Sequence, residues 1–518
     1  MQQSESNCGQ DSIAPFSLRP QSISGTLLDL TRLSEGNDPP LDSEIPFIRG
    51  IISEELARVD ALDAQINRDC EDAPPELIGD RAEAAERIRK HRSILSPVRR
   101  MPPELICGIF ALLLEDDDEI LPTPLWHLGH ICRSWRLFVL GDTQFWRCIT
   151  IPTAPLRPGD CAMVEAQLLR SGNAPLKVYW VVGNTKETMD PRMADLLVAE
   201  SNRWVSLRLD VFHSHSVDAL EWLRPVHGHL AALRKLEMDH GSHARVPDVF
   251  GIAPSLREVY LTDWALGHAS PDISIPWGQV VRYRGSCEAK FQFEILQAAP
   301  NLQHCVVGFE DSLDHDECAS VTLPQLRCLY IENPGCLVHL STPILEDLFC
   351  LEAETPSLPS VLAFVRSSSC ALTRLILMEC AICGELITLL RGLPALTYLL
   401  VGAETDEEEQ EKALFEAMTL SGTSDICPRL ASLWYGVGEQ FPQDPFFAMI
   451  HSRLMRRQPS ADQPQPHSCL TRLRIFDTDD NIEVADIEAP IRVLHDEGLD
   501  VVFMDEYLVD LLKAEILV

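Results

Sequence analysis

A short apolar phrase, Leu-x-x-Leu-x-Leu, returns ten times between residues 204 and 475 and limits the fold more than any other feature. The copies open at Trp204, Leu233, Leu256, Leu302, Leu326, Leu345, Leu372, Leu396, Leu430 and Leu470, with a weaker one at Val280. Most intervals are 19 to 29 residues, and the last two lengthen to 34 and 40, which implies insertions. Apolar residues at every second place mark a half-buried strand. Between copies the pattern changes to a helical one, as at 291–299, 358–365, 386–390 and 446–455, and 405–408 reads as a capping box opening another helix.

A strand–helix unit this small cannot hide its apolar face alone, so neighbouring copies must stack. The spacing is that of leucine-rich repeats. The expected class is α/β: over 152–518, a solenoid or horseshoe with a parallel sheet and right-handed crossovers. Side chains between the leucines would lie on the face away from the helices and be offered to a target protein. Arg208, Arg234, Glu237, Arg257, Tyr260, Tyr330 and Phe349 are the candidates.

Upstream the pattern differs. Residues 1–43 are rich in Ser, Gln, Pro and Gly and read as a mobile tail. Over 44–93, Ile48, Ile52, Leu56, Val59, Leu62 and Ile66 recur at helical steps. Ala73-Pro74-Pro75 breaks that run, because proline lacks an amide donor. A second helix is expected over 76–91, so the pair makes either a hairpin or a coiled coil between two chains. The basic run Arg87, Arg89, Lys90, Arg92, Arg99 and Arg100 follows. It reads as a contact for an acidic partner or as cations complementing a helix C-terminus.

Segment 94–151 holds two apolar helices around the acidic stretch 115–119. Pro102 and Pro103 open the first, with Glu104 in its first turn. Its stripe is Leu105, Ile106, Ile109, Phe110, Leu113 and Leu114, and the second helix, over 125–140, carries Ile131-Cys132-x-x-Trp135-Arg136 ahead of Phe145-Trp146. This ordered set resembles the F-box, in the F-box-like form expanded in mushroom-forming fungi. Met101 stands where the family has leucine, and the loop between helices is long. The resemblance implies an all-α module docking to a Skp-type adaptor of a cullin ubiquitin ligase. Pro102, Pro103, Leu105, Ile106, Ile109, Phe110, Ile131, Cys132 and Trp135 are the residues expected at that contact.

Charge narrows the partners. The 78 acidic and 43 basic residues give a net charge of −35, which repels nucleic acid and anionic membranes and suits a protein partner, one with a basic face. Seventeen cysteines, scattered through apolar runs, with no leader-like segment, suggest buried thiols in a cytoplasmic or nuclear protein rather than a disulfide scaffold. Cys380-Ala-Ile-Cys383 lacks a second pair at zinc spacing, and Cys380 falls where a leucine-rich repeat places its Asn or Cys. The paired histidines His213 and His215, His227 and His229, and His240 and His243 read as loop residues, and Asp116, Asp117 and Asp118 as a solvated loop. No nucleotide-binding or nucleophile motif is present. The expectation is a non-catalytic adaptor without metal or cofactor: a substrate receptor of an SCF-type ligase, or a repeat scaffold independent of one.

Overall fold

Proline placement and helical periodicity fix the N-terminal elements, and a leucine ladder fixes the rest. The computed structural model describes residues 22–23, 26–27, 30–67, 74–112, 125–151, 157–181, 189–211, 218–239, 245–262, 273–309, 319–351, 357–403, 408–421, 425–437, 441–454, 470–477 and 484–504. The chain divides into two compact units, one of residues 1–150 with 166–174, the other of 151–165 with 175–518.

In the first unit, helix α1 (Leu30–Glu35) precedes α2 (Ile45–Ile66) and α3 (Pro75–Ile94). Pro46 and Pro75 sit in first turns, where a missing amide costs least. α2 and α3 pack as an intramolecular hairpin around Ile48, Ile52, Ile88 and Ile94. Leu33 is wholly buried in that core, so part of the segment expected to be a mobile tail is packed. Leu56, expected in the apolar stripe, faces outward instead.

The basic run is largely occupied by its own unit. Arg87 Nε meets Glu55 Oε1 at 3.0 Å and Arg89 Nη2 meets Glu86 Oε1 at 2.6 Å. Arg99 donates to the Leu33 carbonyl at 2.7 Å, and Arg100 to Asp42 at 3.1 Å. Exposed pairs of this kind add little stability, so apolar burial carries the hairpin.

The second unit is built on a long parallel sheet. Its strands are β1 (Leu176–Val181), β2 (Trp204–Asp210), β3 (Lys235–Asp239), β4 (Glu258–Thr262), β5 (Arg282–Cys287), β6 (His304–Phe309) and β7 (Cys328–Ile331). They continue as β8 (Asp347–Cys350), β9 (Arg374–Cys380), β10 (Tyr398–Ala403), β11 (Ser432–Val437), β12 (Arg472–Asp477) and β13 (Asp500–Met504). Neighbours in space are neighbours in this order. Each repeated phrase, including the weak one at Val280, supplies a strand. β1 and β13 carry no such phrase and extend the sheet at its two sides.

Register explains the leucines. Leu207, Leu236, Val259, Tyr283, Cys305, Leu329, Leu348, Leu375, Leu399, Leu433 and Leu473 stand in one column, all buried. Burying each large apolar side chain contributes about 1.5–3 kcal/mol. Helices α6 (Pro191–Val198), α7 (Ala289–Ala298), α8 (Leu358–Ser368), α9 (Gly384–Arg391), α10 (Glu408–Met418), α11 (Gln443–Leu454) and α12 (Val484–Asp496) lie between strands. The 19-residue interval from Leu326 to Leu345 holds a 3-10 turn, Pro334–His339. Counting the weak copy at Val280, four longer intervals, those opening at Trp204, Leu233, Leu256 and Leu302, also carry no α-helix among the described residues. The capping box at 405–408 begins outside the described residues.

Two buried tyrosine hydroxyls in this core are paired with side chains. Tyr283 Oη donates to Gln292 Oε1 at 3.2 Å. Gly285 makes room for that hydroxyl, since a Cβ there would overlap it. Tyr435 Oη donates to Glu411 Oε1 at 2.6 Å, and Glu411 is almost fully buried. Burial, opposed by the Tyr435 hydrogen bond, pushes the Glu411 carboxyl up from 4.5 to about 7. Between those values the folded chain holds more protons than the unfolded one, so this group's contribution to stability falls as pH rises through the window. The thermal midpoint of the wild-type chain is therefore expected to drop relative to that of Glu411→Gln between about pH 5 and about pH 7.5. Parallel pH profiles for the two proteins would contradict the assignment.

Candidate docking surfaces

The first candidate surface lies on two helices of the first unit, α4 (Pro103–Leu112) and α5 (Arg133–Gly141). Apolar residues on α4 occupy two faces. Ile106 and Phe110, four apart, point inward to Val139, Phe145 and Trp146. The Phe110 and Trp135 rings meet edge-to-face with centroids 4.8 Å apart, and Trp146 Nε1 donates to the Val139 carbonyl at 2.7 Å. Local chemistry accounts for the Ile131-Cys132-x-x-Trp135-Arg136 run. Cys132 Sγ accepts from the Trp135 amide at 3.4 Å as the cap of α5, Trp135 packs on the core, and Arg136 Nε donates to the Gly129 carbonyl at 2.7 Å.

With that core complete, a second apolar set remains outside. Leu105, Ile109 and Leu112 share the other face of α4, at positions i, i+4 and i+7. Ile131 and Leu137 join them at the surface, and all five are 49 to 64% exposed. Leu140 is exposed as well. Single exposed leucines are ordinary, whereas a concentration of this kind on one small module marks an interface.

Of the residues expected at an adaptor contact, Pro102, Pro103, Leu105, Ile109 and Ile131 are exposed, and Cys132 and Trp135 are half-buried. Ile106 and Phe110 are corrected: at 5% and 3% exposure they belong to the module's own core. Leu112, Leu137 and Leu140 were missed. Leu112 follows Leu105 and Ile109 on the same helical stripe and could have been read from spacing alone. Leu113, Leu114 and the acidic stretch 115–119 lie outside the described residues.

The second candidate surface is the sheet face opposite the leucine column. Its central column runs Arg208, Glu237, Tyr260, Arg284, Val306, Tyr330, Phe349, Ile376, Leu400, Trp434 and Arg474 from β2 to β12. Five of the seven residues expected to face a target, Arg208, Glu237, Tyr260, Tyr330 and Phe349, stand in it. Arg234 and Arg257 instead occupy an exposed row at the N-terminal edge of the strands, where each amide bonds to the preceding row's carbonyl.

The column changes character at β8. From β2 to β7 its side chains are partly exposed. From β8 to β12, Phe349, Ile376, Leu400 and Phe476 form a buried apolar cluster, flanked by Tyr330, Met378, Tyr398 and Trp434. Phe349 is thus corrected: it lies on the expected face but is only 2% exposed. Gly402 lets the Met378 side chain lie across it, 3.2 Å from where a Cβ would be.

No family model matches the sequence, and no curated protein matches it. Its chemistry must therefore be judged from these surfaces. Burial pushes the thiols of Cys328, Cys380 and Cys427 up to about 12, away from the thiolate form that metals and nucleophilic catalysis use. Cys380 ends β9 with its Sγ on the Ala381 carbonyl, while Cys383 precedes α9. Among the described residues no three His, Cys, Asp or Glu side chains come together as a metal site. His213, His215, His240 and His243 lie outside those residues; His227 Nδ1 meets the Asp248 carbonyl at 3.0 Å. No described helix is long and apolar enough to cross a membrane. The first surface offers exposed apolar side chains and the second partly exposed charged and aromatic ones, groups suited to binding.

Proposed function

We propose that the protein is a substrate receptor of an SCF-type cullin ubiquitin ligase. Its F-box-like module docks to a Skp-type adaptor, and a leucine-rich repeat solenoid holds a target protein near the ubiquitin-charged enzyme. The contribution to ubiquitin transfer is proximity and orientation rather than bond making.

The observation that carries this reading is the outward apolar set Leu105, Ile109, Leu112, Ile131 and Leu137 on a module whose inward positions are already filled. Leaving those side chains in water has no structural return for the module itself, and covering them with a partner would contribute about 25 cal/mol for each Å² of apolar surface removed. The ordered F-box-like motif around them supplies the identity of the partner. The chain-ordered strand register and the leucine column support the repeat reading.

Co-expression with a Skp-type adaptor and a cullin is the test. The wild-type chain is expected to co-purify with both. Leu105→Asp with Ile109→Asp is expected to abolish the association while leaving the thermal midpoint close to wild type, because both side chains are exposed. Adaptor binding that survives the double substitution would refute the docking site. A stable complex that forms with a target but never contains cullin would favour the ligase-independent scaffold.

A further inference from the structure

The N-terminal edge of β2–β5 departs from the charge of the rest of the chain. Six cations run from that edge into the central column: Arg234 and Arg257 just before their strands, Lys235 and Arg282 at the strand starts, and Arg208 and Arg284 in the column itself. Two carboxylates, Glu237 and Glu258, lie among them, while Asp210 and Asp239 stand at the far, C-terminal ends of their strands. This is a local positive band on a chain whose net charge is −35.

The two carboxylates are already engaged. Glu237 takes Arg208 Nε at 3.2 Å and Lys235 Nζ at 3.6 Å. Glu258 accepts the Tyr260 hydroxyl at 3.3 Å. The Arg234 and Arg284 guanidinium groups make no hydrogen bond or ion pair among the described residues. Arg257 uses one nitrogen on the carbonyls of Pro254 and Leu256, and makes no ion pair among those residues. On the neighbouring strand, burial and then Arg282 push the His304 imidazolium downward, so no further cation is added at neutral pH.

Arg234 and Arg257 stand side by side in the edge row, the Arg257 amide donating to the Arg234 carbonyl at 2.9 Å, and Arg282, in register with Glu258 one residue further along, donates its amide to the Arg257 carbonyl at 3.0 Å. Successive strands are about 4.8 Å apart, so the band spans about 10 Å, or three to four residues of extended peptide. Tyr260 beside Arg284 offers ring surface to the apolar part of the same peptide. The buried cluster on β8–β12 already shields its own side chains and offers less.

We infer that the target-holding site is this arginine band on β3–β5 and that its ligand is an acidic, extended segment of the target protein. The inference rests on the reading that the sheet's open face holds a target, and it names the chemistry of that target. Guanidinium groups without a carboxylate partner take peptide carboxylates with two-pronged geometry, which a strand edge already rich in ordered arginines presents at little entropic cost. A long polyanion such as duplex nucleic acid is disfavoured, because beyond this short band it meets the negative field of the whole chain.

The experiment is fluorescence anisotropy with the full chain. The probes are fluorescein-labelled peptides alternating glycine with glutamate, with glutamine or with lysine. The glutamate peptide is expected to bind about tenfold or more tightly than the glutamine one, and to weaken as salt rises. Arg234→Ala, Arg257→Ala and Arg284→Ala combined are expected to lose that advantage at an unchanged thermal midpoint. Leu105→Asp with Ile109→Asp is expected to retain it, so the peptide result and the adaptor result stand or fall separately. Equal binding of the glutamate and glutamine peptides, or full glutamate binding by the triple variant, would overturn the inference. So would a duplex oligonucleotide that outcompetes the glutamate peptide through the same three arginines.

Discussion

Arg453→Met is expected to destabilise the second unit by roughly 3–5 kcal/mol, the largest loss from any single polar side chain in it. Arg453 lies on α11 and is only 2% exposed. Its guanidinium donates to three backbone carbonyls: Cys427 at 3.0 Å, Met418 at 2.6 Å and Ile426 at 2.8 Å. These carbonyls belong to the long 34-residue interval between Leu396 and Leu430, where the chain makes an irregular turn before β11. Cys427 there adopts a left-handed backbone, φ 45°, which a non-glycine residue holds only under constraint. Burial pushes the Arg453 guanidinium down to about 10, so it remains charged at neutral pH even inside the protein. Methionine matches its length and apolar stem but removes the side-chain donor from the Met418 and Ile426 carbonyls and leaves Cys427 with only the Leu430 amide, at 3.1 Å. Urea unfolding of both proteins measures the difference. A loss under about 1 kcal/mol would mean that water or rearranged backbone replaces the guanidinium.

That arginine also shows where a sequence stops being legible. The leucine phrases could be read because the signal is local: a period of two with one buried face leaves little choice of register. β1 and β13 escaped, although their alternation is present, because they lack the leucine phrase that singles out the others. The interval lengths carried real information too. The two longest intervals each hold an α-helix, and one of them required an internal tie, but nothing in the run Ser452-Arg453-Leu454 announces that its cation points inward. A lone arginine at the end of a helix reads as solvent-facing, and only the tertiary placement of the 426–427 turn reverses that.

The open face illustrates a different loss. Residues between the leucines were expected outside, and alternation did put them on the opposite face. It could not tell an exposed residue from one covered by its own neighbours. Phe349, Ile376 and Leu400 are large and adjacent in register, so they shield each other under Met378, Trp434 and Phe476. Arg208, Glu237, Tyr260 and Arg284 have polar ends, which keep the earlier half of the face partly open to water. Side-chain chemistry along a column, rather than position in a strand, decides which part of the sheet can meet a partner. This is why the arginine band, and not the aromatic cluster, is where recognition is placed.

On α4 the same ambiguity yields a sharp pair of expectations. Ile106→Asp and Ile109→Asp introduce the same group three residues apart on one helix, with opposite consequences. Ile106 is 5% exposed and packs with Phe110, Val139, Phe145 and Trp146, so a carboxylate there is buried without a partner. The cost, lost apolar burial plus desolvation, is on the order of 4 kcal/mol or more, enough to unfold a module this small. Ile109 is 49% exposed, and its carboxylate would stay in water, with a stability change within about 0.5 kcal/mol. Adaptor binding should vanish in both variants, through unfolding in the first and through a charged interface in the second. Hydrogen exchange of the full chain, followed through the protection signal of the peptides that carry Trp135 and Trp146, separates the two causes. If Ile109→Asp also loses the buried Trp146 signal, α4 has no free face, and the apolar set on it belongs to the core.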